Sequence, residues 1–175
     1  QSGAGLLSAR KGANGISVNM GPALDHWQDI PLAEAIDTLH LPIKEGNLSD
    51  PVAVGIGNPH MVFFVDDALA VPFSDGLGSK LEHHALYPER TNVEAVEIQS
   101  REKLRVRVWE RGVGITRACG TGACASVVAA NRRGLTERSV EVELDGGILE
   151  IEWRDDSDVL MTGPTATSFV GTWMG

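Results

Sequence analysis

The chain has 175 residues, 42% hydrophobic and 22% charged, with 15 Lys+Arg against 24 Asp+Glu and a formal net charge of −9 at pH 7. That length allows one good core, or one domain plus part of another, and the acidic balance weighs against a nucleic-acid or anionic-membrane surface, which would want a basic patch. Two cysteines, Cys119 and Cys124, are too few for a secreted disulfide scaffold, and without a membrane-length apolar run or a signal pattern the expected location is the cytoplasm.

Residues 4–11 and 16–20 read as strands around Ala13-Asn14-Gly15, a hairpin turn that tolerates positive φ. The chain opens at Gln1, and Ala4-Gly5-Leu6-Leu7 already reads as the entry to a strand, so a fragment or processed chain is expected. Met20-Gly21-Pro22 breaks the pattern. The expected division is residues 1–25 as a hairpin remnant of a neighbouring domain, 26–163 as the main domain, and 164–175 as a strand crossing back to that neighbour.

Val52 to Ile56 and Met61 to Val65 are β-rich runs around Gly57-Asn58-Pro59-His60. A helix is expected over 74–86, capped by Ser74 or Asp75 and stopped by Pro88. Strands follow over 93–99 and 103–109, the second alternating Leu104, Val106 and Val108 with Arg105 and Arg107. From Thr121 to Ala130 the residues are small and mostly apolar, with Arg132 and Arg133 in the last turn and Gly134 after it. A helix lacking a polar face has to be buried on every side. Strands over 139–144, 147–153, 158–162 and 167–173 complete an α+β fold, a mixed or antiparallel sheet or barrel wrapped around one central buried helix.

Cys119-Gly120-Thr121-Gly122 is the sharpest chemical feature. A thiol just ahead of a helix sits in its positive N-terminal field, which favours thiolate and would lower the pKa from about 8.5. The unpaired N–H groups there can hold a carboxylate, so one segment could bind an amino acid's α-carboxylate and set a sulfur beside its Cα. The alternative is a small buried hydrophobe ahead of a packed helix. No Gly-Lys-Ser/Thr follows, so a phosphate-binding loop fails; Cys124 lies on another helix face and reads as core, leaving no metal site.

Glu110-Arg111-Gly112 ends a strand: either a solvated turn, or a planar fork for a carboxylate beside an acid that tunes the thiol. Asn58 and His60 are either turn residues or an amide and an ionisable group suited to a thiol. Asn92 opens a strand and carries the same ambiguity. His26, His40, His83 and His84 read as surface or structural.

In order and spacing, Gly57-Asn58-Pro59-His60, Asn92 and the block from Glu110 through Cys119 to Gly122 resemble the C-terminal half of diaminopimelate epimerase, and residues 3–21 resemble the hairpin ending that family's N-terminal domain. The resemblance implies two mirror-like domains, each a sheet or barrel around a helix, with the site between them and no cofactor or metal. One cysteine thiolate removes the α-proton of diaminopimelate and a second thiol protonates the opposite face, converting the LL to the meso form on the way to lysine and peptidoglycan precursors. Cys119 corresponds to the second cysteine, with Glu110 and His60 assisting the two thiols. Gly120 and Thr121 correspond to the reacting carboxylate's site, and Asn58, Asn92, Arg111 and the Glu110 carbonyl to the distal end's. The Cys-Gly segment bearing the family's first cysteine is absent, so half a site and no turnover by this chain alone are expected. Partners implied are the substrate, the N-terminal half and, through exposed strand edges, a homodimer. A proline racemase is the nearest rival, but seven residues separate Arg111 from Cys119 where that family sets its acidic-Arg pair almost against the cysteine. A non-catalytic amino-acid-binding or assembly module is the alternative from another class.

Overall fold

A computed structural model describes residues 7–12, 15–167 and 169–172. In chain order the elements are β1 (Ala9–Gly12), β2 (Gly15–Pro22), the short β3 (Lys44–Glu45) and β4 (Leu48–Ser49), β5 (Val52–Gly55), β6 (Pro59–Phe64), α1 (Leu77–Glu82), β7 (Asn92–Ser100), β8 (Lys103–Glu110), β9 (Gly114–Thr116), α2 (Gly120–Arg132), β10 (Ser139–Leu144), β11 (Gly147–Trp153) and β12 (Asp158–Gly163). β3 and β4 pair with each other, and the others form one mixed sheet in the order β1-β2-β12-β11-β10-β8-β7-β6-β5, with β9 on β8. β6–β7 and β8–β10 are its parallel pairs, each bridged by a stretch containing a helix, as a parallel crossover requires.

Period-2 alternation divides the strands between two cores. Val54, Val62, Val96, Val106 and Val142 face α2, while Ala53, Met61, Phe63, Val93 and Ala95 face a second cluster with Ile30, Leu41, Phe73 and Leu81. Every residue of α2 from Gly122 to Ala130 is buried. The helix touches β5, β6, β7, β8, β10, β11 and β12, an approach that Ala and Val side chains permit and longer ones would not.

The structure departs from expectation in five places, the first being that β2 runs on through Met20 and Gly21 to Pro22, where a break was expected. α1 spans only Leu77–Glu82 behind a 3-10 turn, Phe73–Asp75, and its N-cap is Gly76 without a side-chain cap, so neither Ser74 nor Asp75 caps it. β9 and the β3–β4 ladder were not foreseen, because each is three residues or fewer and carries no periodicity. Residues 164–167 and 169–172 form no strand; Phe169 and Val170 are exposed, so β-propensity there finds no partner among the described residues, and residues 168 and 173–175 lie outside them. The strand that meets the β1–β2 hairpin is β12, ahead of Pro164, which pairs antiparallel with β2. Of the hairpin itself, residues 4–6 and the turn positions 13–14 lie outside the described residues.

Candidate active site

Cys119 is the N-cap of α2, with extended backbone and its Sγ accepting the Gly122 N–H at 3.4 Å. The Thr121 hydroxyl lies 3.5 Å from the same sulfur. Gly120 and Thr121 occupy the first turn, where backbone N–H groups have no partner within the helix. Gly120 also leaves space for Met161: a Cβ there would come within 2.9 Å of its sulfur.

The thiol does not behave as the helix field alone suggests. Burial raises its pKa to about 11; the Thr121 and Gly122 hydrogen bonds act downward, and the Glu94 and Glu110 carboxylates add to the rise. The expected lowering is therefore corrected: desolvation and two nearby acids raise the thiol by more than the Thr121 and Gly122 hydrogen bonds lower it. At neutral pH Cys119 holds its proton. Cys124 is wholly buried in the core, and burial pushes it up to about 12.

A chain of polar contacts leads away from the thiol. The Asn58 amide nitrogen donates to Thr121 Oγ1 at 3.4 Å, and its carbonyl oxygen lies 2.9 Å from Nε2 of His60. His60 is fully buried, and its Nδ1 is 2.7 Å from Oε1 of Glu94. His60 and Asn92 are register partners on the parallel pair β6–β7. Asn92 spends its side chain on the backbone, donating to the Pro59 carbonyl at 3.1 Å and accepting the Arg111 N–H at 2.9 Å. That ties the start of β6 to the end of β8, and one amide hydrogen has no acceptor among the described residues.

Arg111 follows β8 in a turn closed by the Val113 N–H on the Glu110 carbonyl, with Gly112 at φ +76. The turn is pinned from outside by Glu82 of α1, whose carboxylate accepts the Gly112 N–H at 3.0 Å, the Trp109 indole N–H at 2.8 Å and an Arg90 N–H at 3.2 Å. The Arg111 guanidinium donates to the Glu89 carbonyl at 2.9 Å and, with Gly57, Asn58 and Pro59, lines a cavity of about 160 Å³. The Glu110 carboxylate accepts the Thr116 hydroxyl. Three larger clefts, about 520 Å³ beside Phe64 and Leu77, about 430 Å³ beside Met20 and Gly57, and about 420 Å³ beside Arg138 and Trp153, have no thiol or histidine in their linings.

Thus Cys119, Thr121, Asn58 and His60 form one connected group, and Asn92 and Arg111 join it through the backbone of β6 and β8. His60 bonds Asn58 and Glu94, and reaches the thiol through Asn58 and Thr121. Glu94 and Glu82 were missed in the sequence. For Glu94 a signal existed: on β7 it shares the helix-facing side with Val96 and Ile98, so alternation puts a charge in the core.

The family model for diaminopimelate epimerase matches residues 52–167. Among curated relatives, diaminopimelate epimerase of Rhodospirillum centenum is 57% identical over 168 residues, covering 95% of this chain and 57% of its own. That of Erythrobacter litoralis is 53% identical over 169 residues, covering 97% and 62%. The chain thus spans about six-tenths of the length of these relatives. A solved hydroxyproline epimerase from Agrobacterium vitis with bound trans-4-hydroxy-L-proline superposes with TM-score 0.61 at 16% identity, over 92% of this chain and 54% of that one. A predicted epimerase from Pseudomonas aeruginosa gives 0.55, also at 16% identity, over 90% and 58%. At that identity the likeness is one of fold.

Proposed function

We propose, from the premise that this chain belongs to the diaminopimelate epimerase family, that it supplies one acid/base thiol of a two-thiol epimerase acting on diaminopimelate. The observation that carries the reading is Cys119 at the N-cap of α2, its sulfur within reach of Thr121 and Gly122 at a helix start whose first N–H groups have no partner within the helix. The sheet, on this reading, wraps α2 so that the small-residue helix aims its N-terminus at the substrate.

Bound with its α-carboxylate on the N–H groups of Gly120 and Thr121, the substrate sets Cα beside Sγ. Held neutral by burial, Cys119 starts as the proton donor. It protonates one face of the carbanion while a thiolate on the other face removes the α-proton; in the reverse direction the roles exchange. Arg111 and Asn58, lining the cavity beside that helix start, hold the distal carboxylate. Asn92 contributes its other amide hydrogen and steadies the Arg111 turn, and a lone pair remaining on the Glu110 carbonyl takes the distal ammonium. Glu110 and His60 assist the thiols: Glu110 lies close enough to raise Cys119, and His60 reaches it through Asn58 and Thr121. A substrate ammonium arriving beside these carboxylates offsets their charge.

Inversion needs an acid/base on each face. Of the two cysteines Cys119 faces the helix start and Cys124 is wholly buried, so the second thiol has to come from an N-terminal half, and the chain alone does not turn over. The reaction belongs in the cytoplasm, where free thiols persist. The seven-residue spacing from Arg111 to Cys119 favours this reading over a proline racemase. The test is Cys119→Ser in the chain joined to its N-terminal half: epimerisation should fall at least about 10²-fold, since a serine hydroxyl is a far weaker acid than a thiol. Retained activity would remove Cys119 from the mechanism.

A further inference from the structure

Glu94 is the one group at this site whose presence the reaction above does not require. It projects from β7 on the side occupied by Val96 and Ile98, is fully buried, and its Oε2 has no partner among the described residues. Burial raises its pKa, the His60 charge and hydrogen bond lower it, and Glu110 raises it further. A carboxyl of this kind is a poor stability device, because a well-packed hydrophobe commonly does as well or better there than a buried polar pair. Nor is it a solvated accident: a Cβ on Gly122 would stand 2.9 Å from Oε1, so the carboxyl lies against the first turn of α2.

Its other contact explains it. Oε1 lies 2.7 Å from Nδ1 of His60, while Nε2 faces the carbonyl oxygen of Asn58 at 2.9 Å. A carbonyl oxygen only accepts, so Nε2 carries a proton and donates. The carboxyl and Nδ1 then share one further proton, whichever atom holds it. With its oxygen fixed on His60, Asn58 turns its NH₂ to Thr121 Oγ1, 3.4 Å away. Thr121, accepting there, has its own O–H free to donate to Sγ of Cys119 at 3.5 Å. Reversing the tautomer would reverse the series: Asn58 would flip, offer its oxygen to Thr121, and draw the hydroxyl proton off the sulfur.

We propose that Glu94 is a positioning residue for Cys119: by sharing a proton with Nδ1 of His60 it keeps Nε2 protonated and, through Asn58 and Thr121, directs a hydroxyl donor at the thiol. The inference rests on the reading of Cys119 as an acid/base, but its test uses the thiol itself and no substrate. The measurements are made on the 175-residue chain with His26, His40, His83 and His84 replaced by Gln, leaving His60 as the only histidine. Imidazole ¹⁵N shifts at pH 7 should show Nε2 protonated in the parent and in Glu94→Gln, whose amide can donate to Nδ1. In Glu94→Leu the Nδ1 partner is gone and a tautomer mixture should appear.

Both variants lack the carboxylate charge, so a difference between them reports hydrogen bonding alone. Alkylation of Cys119 by iodoacetamide at pH 8 should be about 10-fold slower in Glu94→Leu than in Glu94→Gln, the effect of withdrawing one donor from a thiolate. Equal rates together with an unchanged His60 tautomer would overturn the proposal. Should Glu94→Leu fail to fold, the parent spectrum decides, because an unprotonated Nε2 at pH 7 contradicts it outright. Failure of epimerisation in the joined enzyme would leave these readouts untouched, so the two claims fail separately.

Discussion

Glu82→Ala should loosen the turn that carries Arg111 while leaving every proposed substrate contact in place. The carboxylate is 3% exposed and accepts from the Trp109 indole, the Gly112 amide and Arg90. Gly112 and Arg90 lie where water can replace the lost partner, whereas the indole N–H is half-buried against α1. Stranding that one donor dominates, at about 1–3 kcal/mol. The effect has a pH signature. Burial acts to raise the Glu82 pKa, but the bonds from Trp109 and Gly112, with the charges of His83 and Arg90, hold it below the ordinary carboxylate range. A depressed folded-state pKa contributes stability that is full above the unfolded value, about 4.3, and lost as pH falls through the folded one. Urea midpoints should therefore separate wild type from Glu82→Ala most widely at pH 7, and the gap should narrow as the pH falls below about 4.3. Amide hydrogen exchange at Gly112 should quicken at pH 7. Identical midpoints at pH 7, or a gap that persists unchanged at pH 3, would refute the reasoning.

Ala125→Leu or Ala129→Leu should each cost about 1–3 kcal/mol by overpacking, since both positions are fully buried beneath the sheet; unchanged denaturation midpoints in both would mean that α2 has a yielding side. Alkylation of Cys119 should rise about tenfold per pH unit from pH 7 and level off only near its pKa of about 11, and a plateau below pH 9 would show that burial does not govern the thiol. The same raised pKa contributes stability that is complete below the unfolded thiol value, about 8.5, and is lost as pH climbs towards 11.

What could be read in advance was whatever depends on neighbours in sequence. The N-cap position of Cys119, the small-residue helix behind it and the turns at Asn58 and Arg111 follow from short patterns. The thiol's pKa did not follow, because it is set by burial and by Glu94, which lies 25 positions earlier on β7 and reaches α2 only through strand pairing. The two backbone bonds of Asn92 depend on the parallel register of β6 and β7, which no local pattern encodes. Glu82 was invisible because α1 ends four positions before the expected end at residue 86, and that end points its last side chain at β8 and the turn beyond it. The 167–173 stretch shows the reverse error, β-propensity without a partner strand among the described residues.

Isotope exchange tests the central claim most directly. LL-diaminopimelate is incubated in D₂O with the 175-residue chain, with an N-terminal half bearing the second thiol, and with both. With both present, deuterium should enter the inverted Cα of the meso product in the first turnover, while recovered LL substrate stays unlabelled, because a different thiol serves each face. Either piece alone should give no product above background. Epimerisation by the isolated chain, abolished by Cys119→Ser, would contradict the two-thiol account and show one base working both faces.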